Sequence, residues 1–140
     1  MTRRHERERG SVSVELVLVT PVVVGLMLFV VGLGRLAGAK GEVDAAARDA
    51  ARAAANERSA PAARQAGIDA ASATLRDRGV ECRNLTIVVN DAQFRADGFV
   101  TATVTCGVDL HDLTAIGFPG SKSLSSEFTA PVDRYRGVDQ

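Results

Sequence analysis

Hydrophobic positions are spread unevenly along this chain. From Leu16 to Leu33 the sequence reads LVLVTPVVVGLMLFVVGL, 18 residues without a charge. As an α-helix such a run covers roughly 27 Å, close to the ~30 Å hydrocarbon core of a bilayer. Downstream, charges recur every few positions and no second window of this kind appears. The pattern therefore predicts one transmembrane helix, over 11–35, and a single further domain outside the lipid.

The pattern then changes twice. EVDAAARDAARAAANER, after Gly41, is dominated by Ala and Arg, both strong helix formers, and Asp44 stands four residues before Arg48 in the favourable acid-first order. A helix continuing out of the membrane is expected. Gly32, Gly34, Gly38 and Gly41 fall at the junction, and each costs up to about 1 kcal/mol inside a helix, so a bend or break is expected there. Pro61 suits the first turn of another helix, PAARQAGIDAASATLRDR, and Gly79 stands where a left-handed cap belongs. Thus 36–79 reads as an Ala-rich helical segment.

Beyond it, 80–140 reads as a β-domain. NLTIVVN and FVTATVTCGVDL are rich in β-branched residues, and Val100, Ala102 and Val104 alternate with Thr101, Thr103 and Thr105. DAQFRADG between them carries turn residues, so an antiparallel hairpin is expected. SLSSEFTAPV supplies a third strand. The fold class is α+β: a transmembrane helix extended by Ala-rich helices, then a small three-stranded antiparallel sheet. A hairpin centred near Phe94 sets Ile87 against Thr101 and Cys82 opposite Cys106.

Charge adds topology. Lys plus Arg and Asp plus Glu are equal at 17 each, which excludes the broad basic field of a nucleic-acid binder. Arg3, Arg4, Arg7 and Arg9 crowd the N-terminus, whereas Arg35, Lys40 and Arg48 are mixed with Glu42, Asp44 and Asp49. The positive-inside rule then sets the N-terminus in the cytoplasm and the C-terminal domain outside it. Cys82 and Cys106 are the only cysteines, in no CxxC pair, and a disulfide in an oxidising compartment is their simplest reading.

The first residues carry the most specific chemistry. RRHERERG precedes SVSVE and then LVLVTP. Each part has a physical role if a prepilin peptidase cuts between Gly10 and Ser11, where the small residue would admit the backbone to the active site. The basic leader, 1–10, holds the substrate on the cytoplasmic face. Glu15 then becomes the fifth residue, one helical turn from the new amine. A carboxylate entering hydrocarbon costs about 2.5 to 3.5 kcal/mol when central and less near an interface, so it calls for a partner. The bland alternative is an acid at a helix N-terminus near the membrane surface, where the macrodipole favours it.

Gly10, Glu15 and Pro21 together resemble the TadE-like family, in which a Gly precedes small or aliphatic residues, a Glu stands fifth and a Pro eleventh. DAAARDAARAAA and TAPVDRYRG resemble actinobacterial members, and Leu16 departs from the Phe often found beside the Glu. The resemblance implies a minor pilin or pseudopilin of a tight-adherence (Flp-type) pilus or related secretion system. Its implied partners are membrane lipid, prepilin peptidase, other pilin subunits and the Tad assembly machinery. Glu15 and Pro21 would serve assembly.

Competing readings are weaker. Ala37-Gly38-Ala39 has the form of a signal-peptidase site that would start a secreted protein at Lys40, but the apolar run exceeds a usual h-region and leaves Gly10 and Glu15 unexplained. A plain membrane-anchored binding domain is the other rival. Asp109, His111 and Asp112 read as a solvated loop more readily than as a metal site. Gly34 and Gly38 give a GxxxG spacing, at the end of the span. With no GxSxG, Walker-type loop or HExxH in the chain, no catalysis and no cofactor are expected.

Overall fold

A computed structural model describes residues 6–109 and 120–134. In chain order the elements are α1 (Glu6–Ala55), α2 (Ala60–Asp77), β1 (Leu85–Asn90), β2 (Phe99–Asp109) and β3 (Ser121–Pro131). The chain is α+β and divides into two compact units, Met1–Arg35 and Leu36–Gln140.

In the second unit, the Ala-rich part of α1 supplies Val43, Ala46, Ala47, Ala50, Ala51 and Ala54, all fully buried. Their recurrence at three- and four-residue steps marks one helix face. Against it α2 presents Ala63, Gly67, Ala71 and Leu75, spaced four apart and buried. The helices run antiparallel, as two polar contacts far apart along them show: Thr74 Oγ1 donates to Asp49 Oδ2 at 2.9 Å, and Arg78 pairs with Glu42. The Ser59 hydroxyl caps α2, accepting from the Ala62 N–H at 3.4 Å. Gly79, at φ +68°, ends the helix turn as its position predicts.

The sheet has the order β1-β2-β3, antiparallel throughout. Val100, Ala102, Val104, Cys106 and Val108 of β2 turn inward and join the alanines of α1 in one core, with Val89, Leu124 and Ala130. Phe128 lies at the margin of this core, and the Arg48 guanidinium sits 5.8 Å from its ring centroid. The acid-first pair expected of Asp44 and Arg48 is therefore not made. Asp44 pairs with Lys40 at 3.8 Å instead. The other face carries the threonines, tied across strands by Thr101–Thr129 (2.8 Å), Thr103–Glu127 (3.2 Å) and Thr105–Ser125 (3.0 Å).

The hairpin register differs from the expected one. Ile87 pairs with Val104, and Leu85 rather than Cys82 stands opposite Cys106. The shift arises just after Asn90, whose side-chain oxygen accepts the Ala92 N–H while the Asp91 carbonyl accepts the Phe94 N–H. A second turn follows it, in which the Arg95 carbonyl accepts the Gly98 N–H at 2.8 Å. The turn closes at Gly98, where a Cβ would lie 2.0 Å from the Gln93 carbonyl oxygen, and at Asp97, whose φ of +60° is a conformation that Asp tolerates better than most residues. Cys82 lies before β1 and bonds Cys106 from there, with Cα atoms 5.2 Å apart. The Arg83 N–H to Gly107 carbonyl bond, 2.9 Å, guides the chain into that approach.

α1 is also continuous. It runs through Gly32, Gly34, Gly38 and Gly41 without the expected break. Leu36 and Ala39 already pack against the core, and Val43 is fully buried, so at Gly38 and Gly41 tertiary contact outweighs the glycine penalty.

Candidate functional site

The sequence motif falls on the first unit, and α1 carries all of it. Gly10, Ser11, Glu15 and Pro21 all lie within Glu6–Ala55. Glu15 is exposed and immediately precedes the apolar run. From there the large side chains face outward on every side of the helix: Leu16, Val17 and Leu18 are 67%, 70% and 67% exposed. A helix apolar all round belongs in a protein core or in lipid. This one has no covering core among the described residues, and it is long and apolar enough to cross a membrane.

Pro21 sits in the interior of this helix. Having no N–H, it removes the intrahelical bond to the Val17 carbonyl, and its ring crowds that turn. Thr20 Oγ1 donates to the Leu16 carbonyl at 2.6 Å in the same turn. Such a side-chain bond competes with the backbone ladder and favours local bending. The turn between Glu15 and Pro21 is therefore the part of the apolar helix whose backbone bonding is weakest.

The remaining sequence candidates separate. Cys82 and Cys106 form a disulfide remote from α1's N-terminal end in sequence, spanning 24 positions. His111 and Asp112 lie outside the described residues, as do the leader residues 1–5 and Tyr135–Gly137 of the terminal segment. Asp109 pairs with Arg83 at 2.8 Å. Among the described residues no group of three or more His, Cys, Asp or Glu side chains is placed to hold a metal ion.

Sequence reasoning missed the groove on the outer face of the sheet, about 300 Å³, where Gly107 interrupts the row of threonines. The one signal was a glycine in the middle of an otherwise β-branched strand.

No curated protein and no solved structure matches this chain. A family model does, over the stretch that holds the glycine, the acid and the proline: residues 10–52 match the model of the TadE-like protein family.

Proposed function

We propose that this protein is a non-catalytic, membrane-inserted pilin-like subunit of a tight-adherence pilus or a related secretion system. The observation that carries the proposal is the match over residues 10–52, centred on a helix whose apolar side chains are exposed all round. In this reading prepilin peptidase cuts between Gly10 and Ser11, and the helix is stored in the membrane until it packs against other pilin helices. Glu15 then pairs with a free amine, its own or a neighbour's, and sets axial register. Pro21 supplies the local give that repacking needs.

The second unit stands outside the cytoplasm in this arrangement. Four arginines before the apolar run support it. So does the Cys82–Cys106 bond, since disulfides persist in oxidising compartments.

N-terminal sequencing or intact mass of the protein from its native host is the direct test. A mature chain starting at Ser11 is expected. A start at Lys40 would mean a secreted protein, and an intact Met1 a plain anchor; either result overturns the proposal.

A further inference from the structure

The sheet has two edges, β1 and β3, and they differ. β1 is six residues long and α2 packs against it, with Gly67 leaving no space for a Cβ beside Val89 and Arg64 paired to Asp91 at 2.8 Å just past the strand's end. β3 is eleven residues long and pairs with β2 at every one of them, from Phe99↔Pro131 to Asp109↔Ser121, without a bulge. A short edge, a bulge or a covering helix keeps a sheet from pairing with another chain. β1 is short and flanked by a helix, whereas β3 is long and unbulged.

The backbone groups that this edge offers follow from the ladder. The Val132 N–H donates to the Gly98 carbonyl at 2.9 Å, one step beyond the Phe99↔Pro131 pair. Alternate residues of an antiparallel strand turn their backbone groups to the same neighbour, so Ala130, Phe128, Ser126, Leu124 and Lys122 bond β2 as Val132 does. Thr129, Glu127, Ser125, Ser123 and Ser121 turn theirs the other way, where among the described residues no strand meets them. All five are exposed. Pro131, which has no N–H to offer, falls in this outward set, the place where a strand tolerates proline.

The side chains of the same residues select the strand that fits. On the β2 side Thr129 meets Thr101 at 2.8 Å, Glu127 meets Thr103 at 3.2 Å and Ser125 meets Thr105 at 3.0 Å, each through a hydroxyl. An arriving strand serves this row equally well if it presents hydroxyls at alternate positions, and β3 is itself such a strand. Laid antiparallel on a second copy about Ser125, it sets Ser125 against Ser125, Ser123 against Glu127 and Ser121 against Thr129, so every pair is hydroxyl to hydroxyl or hydroxyl to carboxylate. On the opposite face Lys122 meets Phe128 and Leu124 meets Ser126, so like charges are nowhere opposed. Centring on Glu127 instead would set two carboxylates against each other. We propose that β3 is a dimerisation edge, to which a second copy of this chain adds its own β3 about a two-fold axis at Ser125, making one continuous sheet. This contact is independent of whatever α1 assembles with.

The test uses the full chain in detergent micelles, oxidised so that Cys82 and Cys106 are bonded, with one cysteine added. At the two-fold axis the Ser125 Cα atoms of the two copies lie about 5.5 Å apart. Ser125→Cys is therefore expected to be cross-linked to dimer by a short bismaleimide, and Thr86→Cys, on the outer face of β1, is not. Ser125→Pro removes an N–H that only the second copy uses, and is expected to weaken the dimer about tenfold in analytical ultracentrifugation while the fold is kept. Ser125→Glu, which opposes two carboxylates at the axis, is expected to weaken it about fivefold, and it decides the matter should Ser125→Pro fold poorly. A chain that sediments as a monomer, equal cross-linking at Thr86 and Ser125, as association through α1 alone would give, or undiminished dimerisation of a folded Ser125→Pro or of Ser125→Glu overturns the proposal.

Discussion

At Gly67 there is no room for a side chain. A Cβ there would lie 2.7 Å from Val89 Cγ2, 3.2 Å from the Ala50 carbonyl oxygen and 3.5 Å from Ala54 Cβ. This is where α2 crosses both α1 and β1, and the backbone oxygen cannot give way. Gly67→Ala is expected to destabilise the second unit by about 1–3 kcal/mol despite alanine's better helix propensity. Gly41, by contrast, has nothing within 4 Å of the same probe position. There the propensity gain stands alone, and Gly41→Ala is expected to stabilise by up to about 1 kcal/mol. Urea unfolding of the two variants should move in opposite directions; two shifts of the same sign would refute the packing argument. Both glycines lie inside helical stretches of the sequence, and only the third dimension distinguishes their surroundings. The cysteines were half legible in the same sense. Their pairing followed from there being two, but their positions in the register did not, because the Asn90 turn is a side-chain event. Replacing Cys82 with Ser opens a loop of 24 positions and is expected to cost about 3 kcal/mol on the chain-entropy model, read as a lower urea midpoint.

For the elements, hydrophobic pattern was the better guide. The alternation of Val100, Ala102 and Val104 with threonines assigned β2 and its two faces, and the buried and hydrogen-bonded partners follow it. The four-residue spacing within α2 likewise reports its buried face, though alanine is too small to announce itself as core in a sequence. Glycine in α1 misled, since a local penalty near 1 kcal/mol per residue competes with a helix anchored by the core from Leu36 onward. In the same helix Glu15 stands at the start of the apolar run, and an acid there is rare unless something partners it. If Glu15 serves register and not insertion, Glu15→Leu removes only a charge from an already apolar segment. The variant should partition into membranes as the wild type does, while filament or subunit cross-links fall sharply. Loss of membrane insertion, or unchanged assembly, would count against the assigned role.

Taken whole, the molecule shows why α1 cannot be regarded as an anchor with a domain hung on its end. The core of the second unit includes Val43, Ala46, Ala47, Ala50, Ala51 and Ala54, all from α1. They meet a stripe of alanine, glycine and leucine on α2 and the inner face of β2. Small residues on both sides let the backbones come close, and the sheet, with few aromatic residues, has little else to bury. α1 thus carries both the exposed apolar run of the first unit and one face of the second unit's core. The compact unit begins at Leu36, well before the helix ends at Ala55. A fragment of residues 36–140, made under oxidising conditions, should therefore be soluble and unfold cooperatively with the Cys82–Cys106 bond formed. A fragment of residues 56–140 keeps every strand, both cysteines and α2, yet loses the alanine face. It should show no cooperative transition and should bind a hydrophobic dye such as ANS. If the shorter fragment instead melts as sharply as the longer one, the sheet and α2 suffice as a core, and α1 is an anchor after all.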